Sequence, residues 1–230
     1  MPVYYALKEP TSEREWNIYS LREAARHKKR LAGVYYSPKL RRLLAVFRAT
    51  PGTHFNELVF ERVEGRVIED AYRMECPEGC NRCCVIHSGA FILDTEVRQL
   101  PEEARRVIDA QPSYIVRTPG GPVRVYRLDT ESMGRCVFFD VERGVCRLEA
   151  DYGREHKPIV CLLTYCTVFA SRGGKLYLKV SARRRGGGYE MVYREVDEEE
   201  WRAAVERMSS IWRRYRKRVG APPESRSASS

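Results

Sequence analysis

The sequence contains no apolar stretch approaching the roughly 20 residues a membrane-spanning helix needs. Its opening, Met-Pro-Val-Tyr-Tyr-Ala-Leu-Lys-Glu-Pro, has no apolar run of signal-peptide length. Together these absences predict a cytoplasmic protein with no membrane partner. There is no nucleophile elbow, phosphate loop, His-Glu-x-x-His or dinucleotide fingerprint, which removes the commonest hydrolase, nucleotide-binding and zinc-protease signatures. No internal repeat and no βαβ alternation is present, so neither a solenoid nor a doubly wound sheet is expected. Asn and Gln are few and 31% of residues are charged, a composition that leans toward thermophilic proteins.

What the chain has is cysteine. Eight occur in 230 residues, and four of them fall within nine positions, Cys76-Pro-Glu-Gly-Cys80-Asn-Arg-Cys83-Cys84. The other four follow as Cys136…Cys146 and Cys161…Cys166. A chain of this length can build a hydrophobic core without covalent staples. In a reducing compartment clustered thiols are more often metal ligands or redox groups than disulfides. The adjacent Cys83-Cys84 pair also suits a simple disulfide scheme poorly. A disulfide-stapled protein without metal is the bland alternative.

The formal net charge is +10, and the isoelectric point is about 9.3. The excess is spread over several segments: Arg22, Arg26, Lys28, Lys29, Arg30, Arg41 and Arg42 early, Arg183, Arg184 and Arg185 before a glycine triplet, and Arg213, Arg214, Arg216, Lys217 and Arg218 late. Basic proteins are drawn to nucleic acid and anionic surfaces, so nucleic acid or an acidic protein surface is a candidate partner. Solvated helix faces are the plainer explanation.

Periodicity predicts a helix over 13–32, with Ser12 and Glu15 as a capping box and Gly33 as its stop. Ser37-Pro38 opens an expected second helix with Leu40, Leu43, Leu44 and Phe47 on one face, ended by Pro51-Gly52. Residues 56–74 fit either a helix or a hairpin. Val85 to Leu93 reads as a strand, and Asp94 caps a helical stretch to about Ala110. Hairpins are expected around Pro119-Gly120-Gly121-Pro122 and Gly173-Gly174, with a further strand at Tyr189–Tyr193. Cys136 and Cys146 are expected side by side across a short hairpin, with Asp140 in its turn. Asp197 caps a long terminal helix that Gly220 stops. The class is α+β, with short antiparallel hairpins around a cysteine-ligated metal centre and helices at both ends. The expected division is an N-terminal helical extension over 1–73, a cysteine-cluster domain over 74–181, a strand and helix over 182–219 packing on it, and a disordered tail over 220–230.

The candidate metal ligands are Cys76, Cys80, Cys83, Cys84, Cys136, Cys146, Cys161 and Cys166, because thiolates are soft donors that bind zinc or iron–sulfur clusters. They could fill two four-ligand sites, one such site with thiols to spare, or a polynuclear centre. Only Cys80…Cys83 has the two-residue spacing of a zinc knuckle, whereas iron–sulfur ligation accepts irregular spacing near a proline. An iron–sulfur cluster, 4Fe–4S in type, is therefore favoured over zinc. His87 and His156 lie near cysteine blocks as further candidates, while His27 and His54 have no chemical context.

The order of blocks resembles the YkgJ-type cysteine-cluster family of zinc- or iron-chelating domains. That family has a compact CxxCxxCC-like cluster, a Cys–aromatic–hydrophobic…Cys element and a basic-Pro-x-x-Cys element. Here they correspond to Cys76, Cys80, Cys83 and Cys84, to Cys136-Val137-Phe138…Cys146, and to Lys157-Pro158-Ile159-Val160-Cys161. Phe91 to Val97 looks like the strand-to-helix step that follows the family's cluster. The resemblance covers about residues 74–170. Lys157 stands where Arg is usual, and Cys161-Leu-Leu-Thr-Tyr165-Cys166 lacks the family's Arg and Pro. A similar cysteine set occurs in flagellin lysine methylases, so the resemblance implies redox or methyl-transfer chemistry at a metal. Two alternatives stand beside it: a zinc-stabilised nucleic-acid-binding module, and a radical S-adenosylmethionine-like enzyme suggested by Cys76-x3-Cys80-x2-Cys83. Against the latter, Arg82 occupies the usual aromatic position and no βα repeat follows.

Overall fold

The two ends of the chain build one sheet, and everything that carries cysteine is inserted between them. The computed structural model describes residues 2–8, 17–77, 84, 90–128, 135–140, 142–164, 167–183 and 187–219, with side chains to residue 209. From the N-terminal side come β1 (Val3–Leu7), β2 (Leu31–Ser37), β3 (Arg42–Ala49), β4 (Phe60–Val63) and β5 (Tyr72–Met74). From the C-terminal side come, in our numbering, β11 (Phe169–Arg172), β12 (Lys175–Arg183) and β13 (Tyr189–Val196). They form an eight-stranded sheet in the order β13-β12-β11-β5-β2-β3-β1-β4, with every neighbouring pair antiparallel. The α+β class is as expected. The helical character expected of residues 1–73 is corrected, and the first described element is a strand rather than a helix.

The second expected helix is the clearest correction. Residues 42–49 are β3, in which Leu44, Ala45, Val46 and Phe47 are all buried. Ala45 and Phe47 face one core while Leu44 and Val46 face another. A central strand buried on both faces reads as a continuous apolar run, which periodicity cannot tell from a helix. Ser37-Pro38 starts a turn instead, in which the Ser37 hydroxyl accepts from the Leu40 amide at 3.2 Å. The first helix, α1 (Ile18–Arg26), is shorter than expected; it is capped by Asn17, whose side chain accepts from the Tyr19 amide. Ser12 and Glu15 lie outside the described residues. Gly33 sits in a β2 bulge rather than at a helix end.

Between β4 and β5 lies the short α2 (Gly65–Glu69), and between β5 and β11 the chain forms β6 (Phe91–Leu93), α3 (Asp94–Val97), α4 (Glu102–Asp109), β7 (Ser113–Thr118) and β8 (Gly121–Arg127). Pro101, with no amide to donate, divides the expected single helix into α3 and α4. The three strands pair as β6-β8-β7, with the turn between β7 and β8 at Pro119-Gly120, inside the expected segment. There follow β9 (Phe139–Asp140), β10 (Val145–Cys146), α5 (Arg147–Tyr152), a 3-10 turn over Arg154–His156, and α6 (Ile159–Leu163). The hairpin at Gly173-Gly174 forms with both glycines at positive φ, the two-residue turn that matches strand twist. Asp197 accepts from the Glu200 amide at 2.8 Å and caps the long α7 (Glu198–Val219) as expected. Among the described residues no helix is long and apolar enough to cross a membrane.

The main core lies on one face of the large sheet. Phe47, Phe55 and Phe60 stack edge to face at its centre, with Leu21 and Ala24 of α1, Leu93 and Val125 of the small sheet, and Ile159 and Leu163 of α6 around them. A satellite core joins Ile92, Val97, Leu100, Ile108, Leu128, Phe138 and Leu148. Cys136 and Cys146 pack against this satellite core. Replacing Phe47, fully buried against two other rings, with Ala is expected to cost about 3–5 kcal/mol in urea unfolding. A loss below about 1 kcal/mol would contradict this placement of the core.

Candidate metal centre

The segment holding every cysteine leaves the sheet after Met74 and returns at Phe169 on the adjacent strand. The Glu75 amide donates to the Phe169 carbonyl at 2.9 Å, and the Glu75 carboxylate accepts from the Ser171 hydroxyl at 2.5 Å. Cys76 follows directly, exposed at the exit from the sheet. The stretch before β11 that carries Cys161 is thereby returned toward Cys76. Cys80, Cys83 and Cys166 lie outside the described residues, as does His87.

Cys136 and Cys146 are not paired across the strands of their hairpin. The strands of their hairpin pair only Asp140 with Val145 and Phe139 with Cys146, so Cys146 stands opposite Phe139. Cys136 precedes the ladder, and its amide donates to the Cys84 carbonyl at 3.1 Å, tying the hairpin to the first cysteine block. Asp140 is the turn residue expected of it. Its Oδ1 accepts from the amides of Glu142 and Arg143 at 2.9 Å each, which hold its carboxyl below the usual range. Arg147 stacks on Phe138 and donates to the Val137 carbonyl, fixing the base of the hairpin.

Cys161 occupies the middle of α6, whose residues Ile159, Val160, Leu162 and Leu163 are all buried. Burial pushes its thiol well above the ordinary range, and the thiols of Cys136, Cys84 and Cys146 push it further. Lys157 acts in the opposite direction. Burial pulls the Lys157 ammonium down, but the Glu149 carboxylate to which it donates, together with Cys146 and Cys76, outweighs that and raises it above the usual lysine range. The five described cysteines, drawn from separate stretches of chain, therefore share one electrostatic neighbourhood centred on Cys161 and Lys157. No disulfide joins them to one another. Among the described residues no three His, Cys, Asp or Glu side chains gather closely enough to hold a metal ion. The neighbourhood is an assembly of thiols, not a closed ligand shell.

Glu96 is the residue that sequence reasoning overlooked. It is 3% exposed, and its Oε1 accepts both from the Ile159 amide at 2.8 Å and from Lys28 Nζ at 3.0 Å. One carboxylate thus caps the helix that carries Cys161 and fixes the N-terminal segment against it. The cue was present in Asp94-Thr95-Glu96-Val97, an acid at the start of an otherwise apolar step, but its partners lie 63 and 68 residues away. His156 ends the 3-10 turn with Nδ1 buried and no described hydrogen-bond partner, its ring 6.1 Å from Tyr152. His27 packs on Phe55 and Phe60 as a core residue, and burial lowers its pKa.

Much of the basic N-terminal region makes tertiary contacts. Arg22 donates to the Gly120 carbonyl, Lys28 to Glu96, Arg30 to Thr53 and Arg42 to Glu61. That ties up charges offered by the sequence as a nucleic-acid surface. No protein-family model, curated protein or solved structure matches this chain. The resemblance to the cysteine-cluster family accordingly rests on the quoted residues alone.

Glu96→Ala leaves Lys28 buried without its partner and the Ile159 amide without an acceptor. It is expected to destabilise the protein by about 3–5 kcal/mol, with Glu96→Gln costing less and Lys28→Met partly rescuing Glu96→Ala. Chemical unfolding of the single and double variants checks this; additive losses would show that the pair is not coupled. In reduced, metal-free protein, burial and neighbouring thiols favour the protonated form of Cys161. Its alkylation at neutral pH should lag behind that of exposed Cys76 and keep rising with pH beyond the range in which an ordinary thiol has levelled off. Equal rates at neutral pH, read by peptide mass mapping, would contradict that environment.

Proposed function

We propose that the chain is a cysteine-ligated metalloprotein whose centre is an iron–sulfur cluster of 4Fe–4S type, with zinc as the competing occupant. The observation that supports this is that Cys84, Cys136 and Cys146, from separate stretches of chain, lie within electrostatic reach of Cys161. Burial and the neighbouring thiols together disfavour the Cys161 thiolate, and the ammonium at Lys157 offsets only part of that. A soft cation reverses the balance, because it binds the thiolates and turns their mutual repulsion into ligation. The donor set fits: sulfur ligands select zinc or iron–sulfur centres over hard cations. Cys76, Cys84, Cys136, Cys146 and Cys161 would hold the group together with ligands drawn from Cys80, Cys83 and Cys166. The order of the cysteine blocks, similar to the YkgJ-type family, supports the same reading.

When bound, an iron–sulfur centre would supply electron transfer or assist methyl transfer, and the enzyme class we propose is an oxidoreductase or methyltransferase of the cytoplasm. The chain's own residues have definable parts in this. Lys157 places a positive charge within reach of Cys76 and Cys146 and works against the burial that raises the Cys161 thiol. Glu149 holds that lysine in position. Glu96 fixes the helix that presents Cys161.

The test is metal retention in variants. Cys161→Ser and Cys136→Ser should each lower bound metal per chain by roughly tenfold or more, since loss of one thiolate from a shared centre costs several kcal/mol of binding. Lys157→Met should lower it less. Exposed Arg106→Gln serves as a control that leaves metal content unchanged. Unaltered metal content in both cysteine variants, with the fold retained by circular dichroism, would overturn the proposal.

A further inference from the structure

The face of the large sheet that holds the main core runs on past it, across β12 and β13, to the sheet edge. We propose that this outer part of the face binds a single-stranded nucleic acid, with tyrosine rings stacking on bases and neighbouring cations meeting phosphates. This goes beyond the metal reading and does not depend on it.

Strand alternation sorts the residues. Leu178, Val180 and Val196 pack with Trp201 and Ala204 of α7 on one side. Odd-numbered positions of both strands point to the other side, where Tyr177 and Tyr193 join the main core. The antiparallel register then sets Tyr193 opposite Lys179, Met191 opposite Ser181 and Tyr189 opposite Arg183. Residues facing one another across such a ladder have Cβ atoms about 4.5–5.5 Å apart, so each of these two rings has a cation at hand. Toward the core the rings are locked. Tyr72 stacks on Tyr193 with centroids 4.7 Å apart, Tyr36 packs on Tyr193 and Tyr177 on Tyr72, and the Tyr193 hydroxyl donates to the Thr167 carbonyl at 2.8 Å. Toward the edge they are open: Tyr189 is 74% exposed and Met191 59%. An aromatic platform of this kind accepts any base, because every base has a flat face.

Charge selects the occupant. On this face β12 carries Lys175, Lys179 and Arg183, and β11 adds Arg172, whose guanidinium lies 5.2 Å from the centre of the Tyr72 ring. The acid that β13 brings to the same side is Glu195, which pairs with Lys175. Glu190 alternates to the opposite side. Lys179 and Arg172 donate to neutral oxygens, the Thr167 hydroxyl and the Asp70 carbonyl, and so keep their charge uncompensated by those bonds. The N-terminal Lys28 and Arg42 differ, being matched to Glu96 and Glu61. Nine residues of β12, roughly 26 Å at about 3.3 Å per residue, give room for a few nucleotides of extended strand. A duplex keeps its bases stacked on one another and away from the tyrosines. An acidic protein would meet the cations but leave Tyr189 and Met191 without a partner.

Fluorescence anisotropy of labelled oligo(U) and oligo(dT) with the full chain, over a range of salt, tests the surface. Saturable binding of at least one is expected, tighter than that of a duplex of equal length, with log affinity falling linearly in log salt. Tyr189→Ala should weaken it roughly tenfold, the loss of one stacked base, while Tyr189→Phe keeps the ring and the affinity. Arg183→Gln should weaken it and flatten the salt slope by about 0.7, whereas Arg106→Gln, on α4, leaves both unchanged. Tyr189 and Arg183 are exposed, so the variants are expected to fold, and circular dichroism verifies this. No binding at low salt, duplex or polyglutamate bound as tightly as the single strands, or full affinity in Tyr189→Ala would overturn the proposal. Metal content is measured on the same preparations. Tyr189-dependent binding in a preparation without metal supports this surface while counting against the metal centre, so the two claims fail separately.

Discussion

The pairing of β5 with β11 is the contact on which the rest of the architecture depends. It joins a five-strand block from the N-terminal third of the chain to a three-strand block from its C-terminal part. It also fixes both ends of the long insertion that contains every cysteine. The pairing is short, Ala170 with Met74 and Ser171 with Arg73, and is extended by the bond from the Glu75 amide to Phe169. Long-range strand pairing is slow to form because its loop-closure entropy comes before its contacts. A metal gathered by thiols at both ends of the insertion would shorten that loop, so ligation and closure of the sheet would support each other.

Electrostatics within the insertion tell a consistent story. Glu96 satisfies a helix amide and an ammonium in the interior, and Glu149 does the same service for Lys157. Each of these carboxylates pairs with a lysine ammonium. Cys84, Cys136, Cys146 and Cys161 are the exception: like groups drawn together, opposed chiefly by one lysine. Functional sites are where such local conflict is found, because a ligand resolves it.

The parts of the fold that sequence made legible are those set by local chemistry. The Gly-Gly turns, the Asp197 cap and the Asp140 turn depend on residues within a few positions of one another, and each appears where expected. What stayed hidden depends on distant partners. Residues 42–49 look helical until β1 and β2 are known to flank them. Glu96 looks like a first-turn acid until Ile159 and Lys28 are placed beside it. For the site, clustering of the cysteines was visible in their spacing. The short ladder, two residues long, pairs Cys146 with Phe139 rather than with Cys136, whose amide is bonded to the Cys84 carbonyl.

The central claim is that these thiols hold a metal centre. The most direct measurement is iron, zinc and acid-labile sulfide content of anaerobically purified protein, taken together with its visible absorption. Iron and sulfide in matching amounts, with thiolate-to-iron charge-transfer absorption that bleaches on reduction, is the predicted result. Colourless protein containing zinc alone would replace the cluster with a structural site. Protein with neither metal, and with its cysteines oxidised in pairs, would contradict the account.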